Sequence, residues 1–237
     1  MPAVFCFDLD DTLISESDYV ESGLRAAGGF LDREAPGAEE AAGWLVDLWR
    51  RERAGDVFQR LLSRRGLDAD AWLPRLKQVY RDHAPVPRLR AGVAEVLSAL
   101  TARGARLALL SDGYLDVQRR KWSALRLPWR FDPVVFTDER GRAYWKPHPW
   151  GFERVMEAHP GAGSFLYVAD NPAKDFIAPN RLGWTTVMVR DGRNLHACED
   201  VAGDGRPDFT VDTLSGLEQA LPALATFSGR APSRGPP

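Results

Sequence analysis

Cysteine is scarce in this sequence: among its 237 residues are only Cys6, in an apolar run, and Cys198, in a polar stretch. Two cysteines are too few for a disulfide framework, and their spacing matches no metal-ligand pattern. A chain of this length that relies on no disulfides is typical of a reducing compartment. We therefore predict a cytoplasmic protein.

A strong excess of charge of one sign is also lacking. The 31 Lys and Arg residues nearly balance the 33 Asp and Glu residues, which gives a formal net charge of −2. Such a chain has no general attraction to polyanions. We therefore expect no nucleic-acid partner and no membrane partner.

The N-terminal residues lack the basic start of a signal peptide. Their apolar run ends at Asp8, which is too early for a signal peptide or a membrane span. We expect this segment to be part of the mature, folded protein. The composition, 44% hydrophobic and 27% charged, is typical of a soluble globular chain.

The sequence does contain a series of short β-branched and aromatic segments that alternate with helical patterns. This alternation predicts an α/β fold with a Rossmann-like, doubly wound parallel sheet. The predicted strands are 4–7, 106–110, 134–136, 165–169 and 185–189, and the predicted helices are 92–103, 115–125, 149–158 and 173–182.

The alternation fails between the first and second strands, where apolar residues recur at helical spacing over 41–48, 57–62 and 72–80. We predict an inserted α-helical domain at 15–88, with Pro85 and Pro87 marking the return to the core. The predicted domains are an α/β core at 1–14 and 89–227, the helical insertion at 15–88, and a disordered tail at 228–237 that has nothing to bury.

Polar residues follow the predicted strands at the edge where ligands bind in open α/β sheets. Five sequence regions contribute to this edge, so they predict one shared site. Its candidate residues are Asp8 and Asp10 after the first strand, Ser111 and Asp112 after the second, Lys146 in the loop after the third, Asp170 after the fourth, and Asp175 on the following turn.

The residue types at this edge suit phosphate chemistry. Asp8 and Asp10 are two positions apart, so one carboxylate can attack a phosphate while the other moves protons. Carboxylates placed this close need a cation among them, and oxygen ligands suit Mg²⁺. Lys146 and Ser111 would stabilise the oxygens of a transferring phosphoryl group.

Four motifs in this order resemble those of the haloacid dehalogenase-like superfamily, most of whose members are phosphatases. The segment FDLDDTL at 7–13 is similar to the family's DxDxT motif, and LALLSDG at 107–113 to its strand that ends in Ser or Thr. KPHP at 146–149 is similar to its Lys motif, and YVADNPAKD at 167–175 to its paired acids. The resemblance extends over the predicted core.

The resemblance implies a role for each candidate residue. Asp8 would be the nucleophile that forms an aspartyl-phosphate, and Asp10 the general acid and then the general base. The dehalogenating members lack an acid at the position of Asp10, so this residue favours phosphate chemistry. The implied Mg²⁺ ligands are Asp8, Asp10 through its backbone carbonyl, Asp170, and Asp175 either directly or through its neighbours. The implied phosphate-binding residues are Ser111, Asp112, Gly113 and Lys146.

The position of the insertion resembles the family's smaller, helical C1 type of cap. Such a cap implies a small phosphorylated metabolite as substrate, such as a sugar phosphate or a nucleotide, and a monomer or homodimer as the assembly. Two alternatives stay open: phosphotransfer between positions of a sugar, as in a phosphomutase, and a non-catalytic binding protein of the same fold. Taken singly, Ser111 and Asp175 also fit ordinary helix caps, and Asp175 fits an ion pair with Lys174.

Overall fold

The computed structural model describes residues 1–37, 39–191 and 203–217. The chain divides into two compact units, one formed by Met1–Glu16 with Arg88–Pro237 and the other by Ser17–Pro87. The second unit differs from the predicted insertion, 15–88, by no more than two residues at either end. The predicted tail 228–237 and Cys198 lie outside the described residues.

Four helices account for the second unit. Helices α2 to α4 contain the three apolar stripes seen in the sequence. The buried side of α1 is less marked, because Gly23, Ala27 and Gly28 lie among its large side chains. A Cβ atom at Gly28 would lie 2.4 Å from the Cα of Ala42, so the close contact of α1 with α2 requires glycine. These helices are α1 Glu16–Glu34, α2 Ala41–Glu52, α3 Val57–Arg65 and α4 Ala69–Asp82.

The other unit contains a six-stranded sheet in the order β3-β2-β1-β4-β5-β6, with every neighbouring pair parallel. The connections run outward from β1 to one edge and then return to its other side, which makes the gap between β1 and β4 the switch point of a doubly wound sheet. The predicted fold class is confirmed. The strands are β1 Ala3–Phe7, β2 Arg106–Ser111, β3 Phe131–Phe136, β4 Ser164–Ala169, β5 Thr185–Val189 and β6 Phe209–Val211.

Both faces of this sheet are buried, as parallel sheets require. Along β1, Phe5 and Phe7 pack into one apolar cluster, while Val4 and Cys6 pack into the other. Residues of α5 and α6 cover the first face, and residues of α7 and α8 the second. These helices are α5 Val93–Ala102, α6 Leu115–Leu125, α7 Trp150–Ala158 and α8 Ile177–Arg181.

Two predicted starts were wrong by three residues or more, and one strand was missed. β3 starts at Phe131 and runs through Pro133, which an edge strand tolerates at the register shift found there. The short edge strand β6 was not predicted. The helix predicted from 173 starts only at Ile177, because side chains close the preceding loop: Asp175 accepts a bond from the N–H of Asn171, and Asn171 accepts one from Ala173.

Across residues 1–37, 39–191 and 203–217, we find no helix that is both long and apolar enough to cross a membrane.

Candidate active site

The adjacent strands β1 and β4 place Asp8 and Asp170 side by side. β1 ends at Phe7 and β4 at Ala169, and the pairing of Phe7 with Val168 puts Asp8 and Asp170 at the same edge of the sheet. The backbone N–H of Asp8 extends this pairing by donating to the carbonyl of Val168 at 3.0 Å. Asp175 joins them from the loop after β4, and one carboxylate oxygen from each of the three acids lies within 4.8 Å of the others.

These three buried carboxylates carry more negative charge than their surroundings compensate. Burial, followed by the charges of Asp175 and Asp8, raises the pKa of Asp170 from 3.8 to about 9. Its Oδ2 atom is fully buried and receives no hydrogen bond from any residue of the described ranges. Burial also raises the pKa of Asp8 to about 6, even though Lys146 opposes this. A buried, unpartnered carboxylate beside two others fits a hard cation such as Mg²⁺.

Lys146 is buried among these acids and is held by three oxygen atoms. Its Nζ lies 2.9 Å from Asp8 Oδ1, 2.8 Å from Asp175 Oδ1 and 2.9 Å from the hydroxyl of Tyr167. Burial alone would lower the pKa of Lys146, but the carboxylates of Asp175 and Asp8 raise it well above its usual value. Lys146 donates hydrogen bonds to Asp8 and to Tyr167, whereas its contact with Asp175 is an ion pair, since Asp175 Oδ1 accepts no hydrogen bond from the described residues.

The carboxylate of Asp10 is bonded to helix α6 and lies outside the three-carboxylate group. Lys121 Nζ lies 2.8 Å from both of its oxygens, and Gln118 Nε2 donates to Oδ2 at 2.8 Å. Gln118 and Lys121 are three positions apart and so lie on one side of the helix, where both are buried. The implied metal contact of Asp10 is through its backbone carbonyl, so that expectation is not affected.

The carboxylate of Asp112 is occupied by contacts within the protein. Its Oδ1 accepts bonds from Thr137 Oγ1 at 2.7 Å and from the backbone N–H of Lys146 at 3.0 Å, and its Oδ2 accepts one from Lys174 Nζ at 3.1 Å. Burial would raise the pKa of Asp112, but Lys146 and Lys174 bring it below its usual value. This carboxylate is negatively charged and already accepts hydrogen bonds from three groups, so it cannot bind phosphate. Only the backbone N–H of Asp112 is left for the predicted contact.

The loop after β2 is shaped for close backbone approach. Gly113 has a φ of 122°, and a Cβ atom there would lie 2.6 Å from the side-chain nitrogen of Gln118. Only glycine fits both constraints. Ser111 is buried directly before this turn, with its hydroxyl 3.4 Å from the carbonyl of Asp112.

A cleft of about 180 Å³ opens at this edge of the sheet. Most of the predicted residues line it, whereas Ser111, Lys146 and Asp175 do not and are buried. Its lining consists of Asp8, Asp10, Asp11, Glu16, Asp112, Gly113, Gln118, Trp145, Asp170, Asn171 and Lys174.

Sequence reasoning missed several residues that hold the candidate groups. One feature of the sequence could have pointed to Gln118 and Lys121. They are polar residues on the side of α6 that also presents Leu115 and Trp122 to the core. Tyr167 carried none, since an aromatic residue in a strand is ordinary core. The suggested pair of Lys174 with Asp175 was wrong, because Lys174 pairs with Asp112.

A family model described as haloacid dehalogenase-like hydrolase matches residues 2–183. The chain is 27% identical to glyceraldehyde 3-phosphate phosphatase of Methanocaldococcus jannaschii, over 89% of this chain and 93% of that one. It is 30% identical to phosphoserine phosphatase of Thermus thermophilus, over 76% of this chain and 71% of that one.

Among solved structures, the fold is similar to that of the putative HAD-hydrolase YfnB from Bacillus subtilis, which was crystallised bound to magnesium. The TM-score is 0.65 at 21% sequence identity, and the match covers 93% of this chain and 98% of that one. At this identity the likeness concerns the fold alone.

Proposed function

Since the chain belongs to the haloacid dehalogenase-like hydrolases, we propose that it hydrolyses a small phosphate monoester with Mg²⁺ as cofactor and through an aspartyl-phosphate at Asp8. Like the two phosphatases it resembles, it is a phosphoric monoester hydrolase. The observation that carries the finer proposal is the buried group of Asp8, Asp170 and Asp175, which offers carboxylate oxygens and lacks sufficient positive charge.

Asp8 is the proposed nucleophile because one of its oxygens is held and the other is not. Lys146 fixes Oδ1 at 2.9 Å, whereas Oδ2 takes no hydrogen bond from the residues that the structure describes. Oδ2 would attack phosphorus while the bond from phosphorus to the ester oxygen breaks. The product of this step is an aspartyl-phosphate at residue 8 and a free alcohol.

Asp10 would give a proton to the departing ester oxygen and then take one from the water that hydrolyses the aspartyl-phosphate. Lys121 and Gln118 hold its carboxylate in a defined place for both transfers. Phosphate oxygens would be bound by Ser111, by the backbone of Asp112 and Gly113, and by the charge of Lys146.

The proposed Mg²⁺ site uses Asp8, Asp170 and Asp175, together with the backbone carbonyl of Asp10. When bound, the ion neutralises these acids and attracts the anionic substrate. We propose a metabolite with one phosphate ester, such as a sugar phosphate or a nucleotide. The relatives support a small substrate, since they are named for glyceraldehyde 3-phosphate and for phosphoserine.

A screen of phosphorylated metabolites with and without Mg²⁺ tests this proposal. We expect phosphate release only with Mg²⁺, and we expect Asp8→Asn to lower kcat by at least about 1,000-fold because it removes the nucleophile. Asp116→Asn is the matched control, since Asp116 is an exposed acid on α6. Acid-quenched reactions should contain a phosphorylated wild-type protein and an unphosphorylated Asp8→Asn variant.

Two outcomes would contradict the proposal. One is equal phosphate release by the wild type and Asp8→Asn, which would exclude Asp8 as nucleophile. The other is transfer of the phosphoryl group to a sugar hydroxyl in place of water, which would assign the chain to the phosphomutases.

A further inference from the structure

The cleft is rich in acids and contains little positive charge of its own. Of the residues that line it, all within the described part of the chain, Lys174 is the only basic one. A phosphate monoester is itself an anion, so every fixed positive charge in this lining matters for binding. The acids of the lining are Asp8, Asp10, Asp11, Glu16, Asp112 and Asp170.

The two other lysines of this region are committed to carboxylates. Lys146 Nζ has oxygens of Asp8, Asp175 and Tyr167 within 2.9 Å. Lys121 Nζ lies 2.8 Å from both oxygens of Asp10. Both side chains are almost completely buried, with 0% and 3% of their area exposed.

Lys174 is more exposed than these two lysines and has fewer contacts. Its side chain is 33% exposed, and within the described ranges its Nζ makes a single hydrogen bond, to Asp112 Oδ2 at 3.1 Å. An ammonium group has three donors, so two N–H groups of Lys174 remain for a ligand.

The backbone holds Lys174 at a fixed place between two proposed metal ligands. Its loop is closed by the bond from Asn171 N–H to the Asp175 carboxylate at 2.9 Å and by the bond from Ala173 N–H to Asn171 Oδ1 at 3.1 Å. Its partner Asp112 belongs to the turn with Ser111 and Gly113. Lys174 is thus anchored beside the proposed phosphate-binding turn, and a cation held in advance binds an anion at lower entropic cost.

We propose that Lys174 binds an anionic oxygen of the substrate and supplies the exposed positive charge that Lys146 does not. This inference rests on the proposed phosphatase function and extends it. The oxygen belongs to one of two sources with the same chemistry: the phosphoryl group itself, or a carboxylate elsewhere on the same small substrate.

Calorimetric titration with inorganic phosphate in the presence of Mg²⁺ tests the first source without turnover. We expect Lys174→Met to weaken phosphate binding by about 10- to 100-fold, the range for a charge-assisted hydrogen bond, and Lys174→Arg to restore most of it. Lys77→Met is the matched control, because Lys77 is exposed on α4. The affinity for Mg²⁺ alone and the Tm should stay close to wild type in Lys174→Met.

Kinetics with O-phosphoserine and O-phosphoethanolamine test the second source, since these esters differ only by a carboxylate. If Lys174 binds a carboxylate, Lys174→Met raises KM for O-phosphoserine by about tenfold or more and leaves O-phosphoethanolamine and inorganic phosphate unchanged. If it binds the phosphoryl group, kcat/KM falls by a similar factor for both esters and phosphate binding weakens.

The inference is overturned if phosphate affinity and kcat/KM for both esters stay within about twofold of wild type in Lys174→Met, since a lost charge-assisted bond costs more. A combined loss of Mg²⁺ affinity and Tm would also overturn it, because it would assign Lys174 a structural role. Failure of the proposed function looks different: wild-type protein would bind inorganic phosphate and release none from any monoester.

Discussion

The group of three carboxylates and the single carboxylate of Asp10 lie at the same edge of the sheet in opposite electrostatic states. In the described part of the chain, Lys146 is the one basic side chain paired directly with Asp8 and Asp175, and Asp170 Oδ2 has no hydrogen-bond partner. Asp10, by contrast, has Lys121 on both of its oxygens and Gln118 on one. The Asp10 carboxylate has its cationic partner within the protein, whereas the three-carboxylate group is the proposed site of an added cation.

Because of this difference, the two carboxylate sites should respond to different changes. The three-carboxylate group should respond to metal, to chelators and to any change in its negative charge. The Asp10 group should respond to changes in α6 and be indifferent to metal. Substitutions in one group therefore should not reproduce the effects of substitutions in the other.

The largest expected effect in this comparison comes from Asp170→Asn. It removes a proposed ligand, so we expect Mg²⁺ affinity to fall and kcat/KM to drop by at least about 100-fold, a loss typical of perturbed metal sites. Calorimetric Mg²⁺ titration and steady-state kinetics measure this. Retained Mg²⁺ affinity in the variant would contradict the assignment of the site.

The same substitution should stabilise the protein when metal is absent. The pKa of Asp170 lies at about 9 in the fold against an ordinary 3.8, so the fold retains a proton that the unfolded chain releases. Metal-free stability should therefore fall as pH rises through this window. In EDTA at pH 8 we expect the Tm of Asp170→Asn to lie a few degrees above that of the wild type. For a chain of this size, each kcal/mol of added stability raises the Tm by about 2–4 °C. Mg²⁺ should raise the Tm of the wild type only.

A smaller effect is expected from Lys121→Met, which leaves the carboxylate of Asp10 without its ammonium partner. General acid–base catalysis contributes about 100- to 10,000-fold to the rate of an enzyme. We expect a misplaced Asp10 carboxylate to lower kcat/KM by about 10- to 100-fold. The loss should be larger for an alkyl phosphate, whose leaving group needs a proton, than for p-nitrophenyl phosphate. Mg²⁺ affinity should not change.

Two further variants make this test specific to Asp10. Lys121→Arg should recover part of the activity, and Arg119→Met, an exposed change on the same helix, should have no effect. Equal losses on both leaving groups would mean that Lys121 merely supports the fold.

The smallest effect is expected from Tyr167→Phe, which removes only the hydroxyl that lies 2.9 Å from Lys146 Nζ. The hydroxyl also donates a long hydrogen bond to the carbonyl of Leu110 at 3.4 Å, while the ring contact with Phe152 is kept. The cost should therefore be that of one to two hydrogen bonds, about 1–2 kcal/mol, or a Tm about 2–8 °C lower. Activity should fall by less than about tenfold. A loss as large as that of Asp170→Asn would contradict the view that Asp8 and Asp175 position Lys146.

Much of the fold could be predicted from the sequence because its signals are local. β5 was predicted with its observed bounds, since a run of β-branched and apolar residues carries the information needed. α1 had a weaker signal, because Gly23, Ala27 and Gly28 interrupt the large side chains along its buried side. β3 was shortened because Pro133 usually ends a strand, and its place at the sheet edge is a tertiary property.

The candidate acids could be predicted because each follows a strand, but their partners could not. Asp10 and Lys121 are 111 positions apart, and only the packing of α6 on the sheet brings them together. Asp112 was predicted to bind phosphate, yet its carboxylate holds Thr137, Lys146 and Lys174 in place. The direction of a side chain after a turn depends on contacts that no local pattern contains.

The central position of β1 has a consequence for how the chain is made. Its neighbours, β2 and β4, start at Arg106 and Ser164, so during synthesis β1 emerges about 100 residues before its first partner. Helices α1 to α4 rely on contacts closer in sequence and can form meanwhile, whereas an apolar strand that waits unpaired is exposed to aggregation. The segment that carries Asp8 is therefore the one for which chaperone protection on the ribosome would matter most.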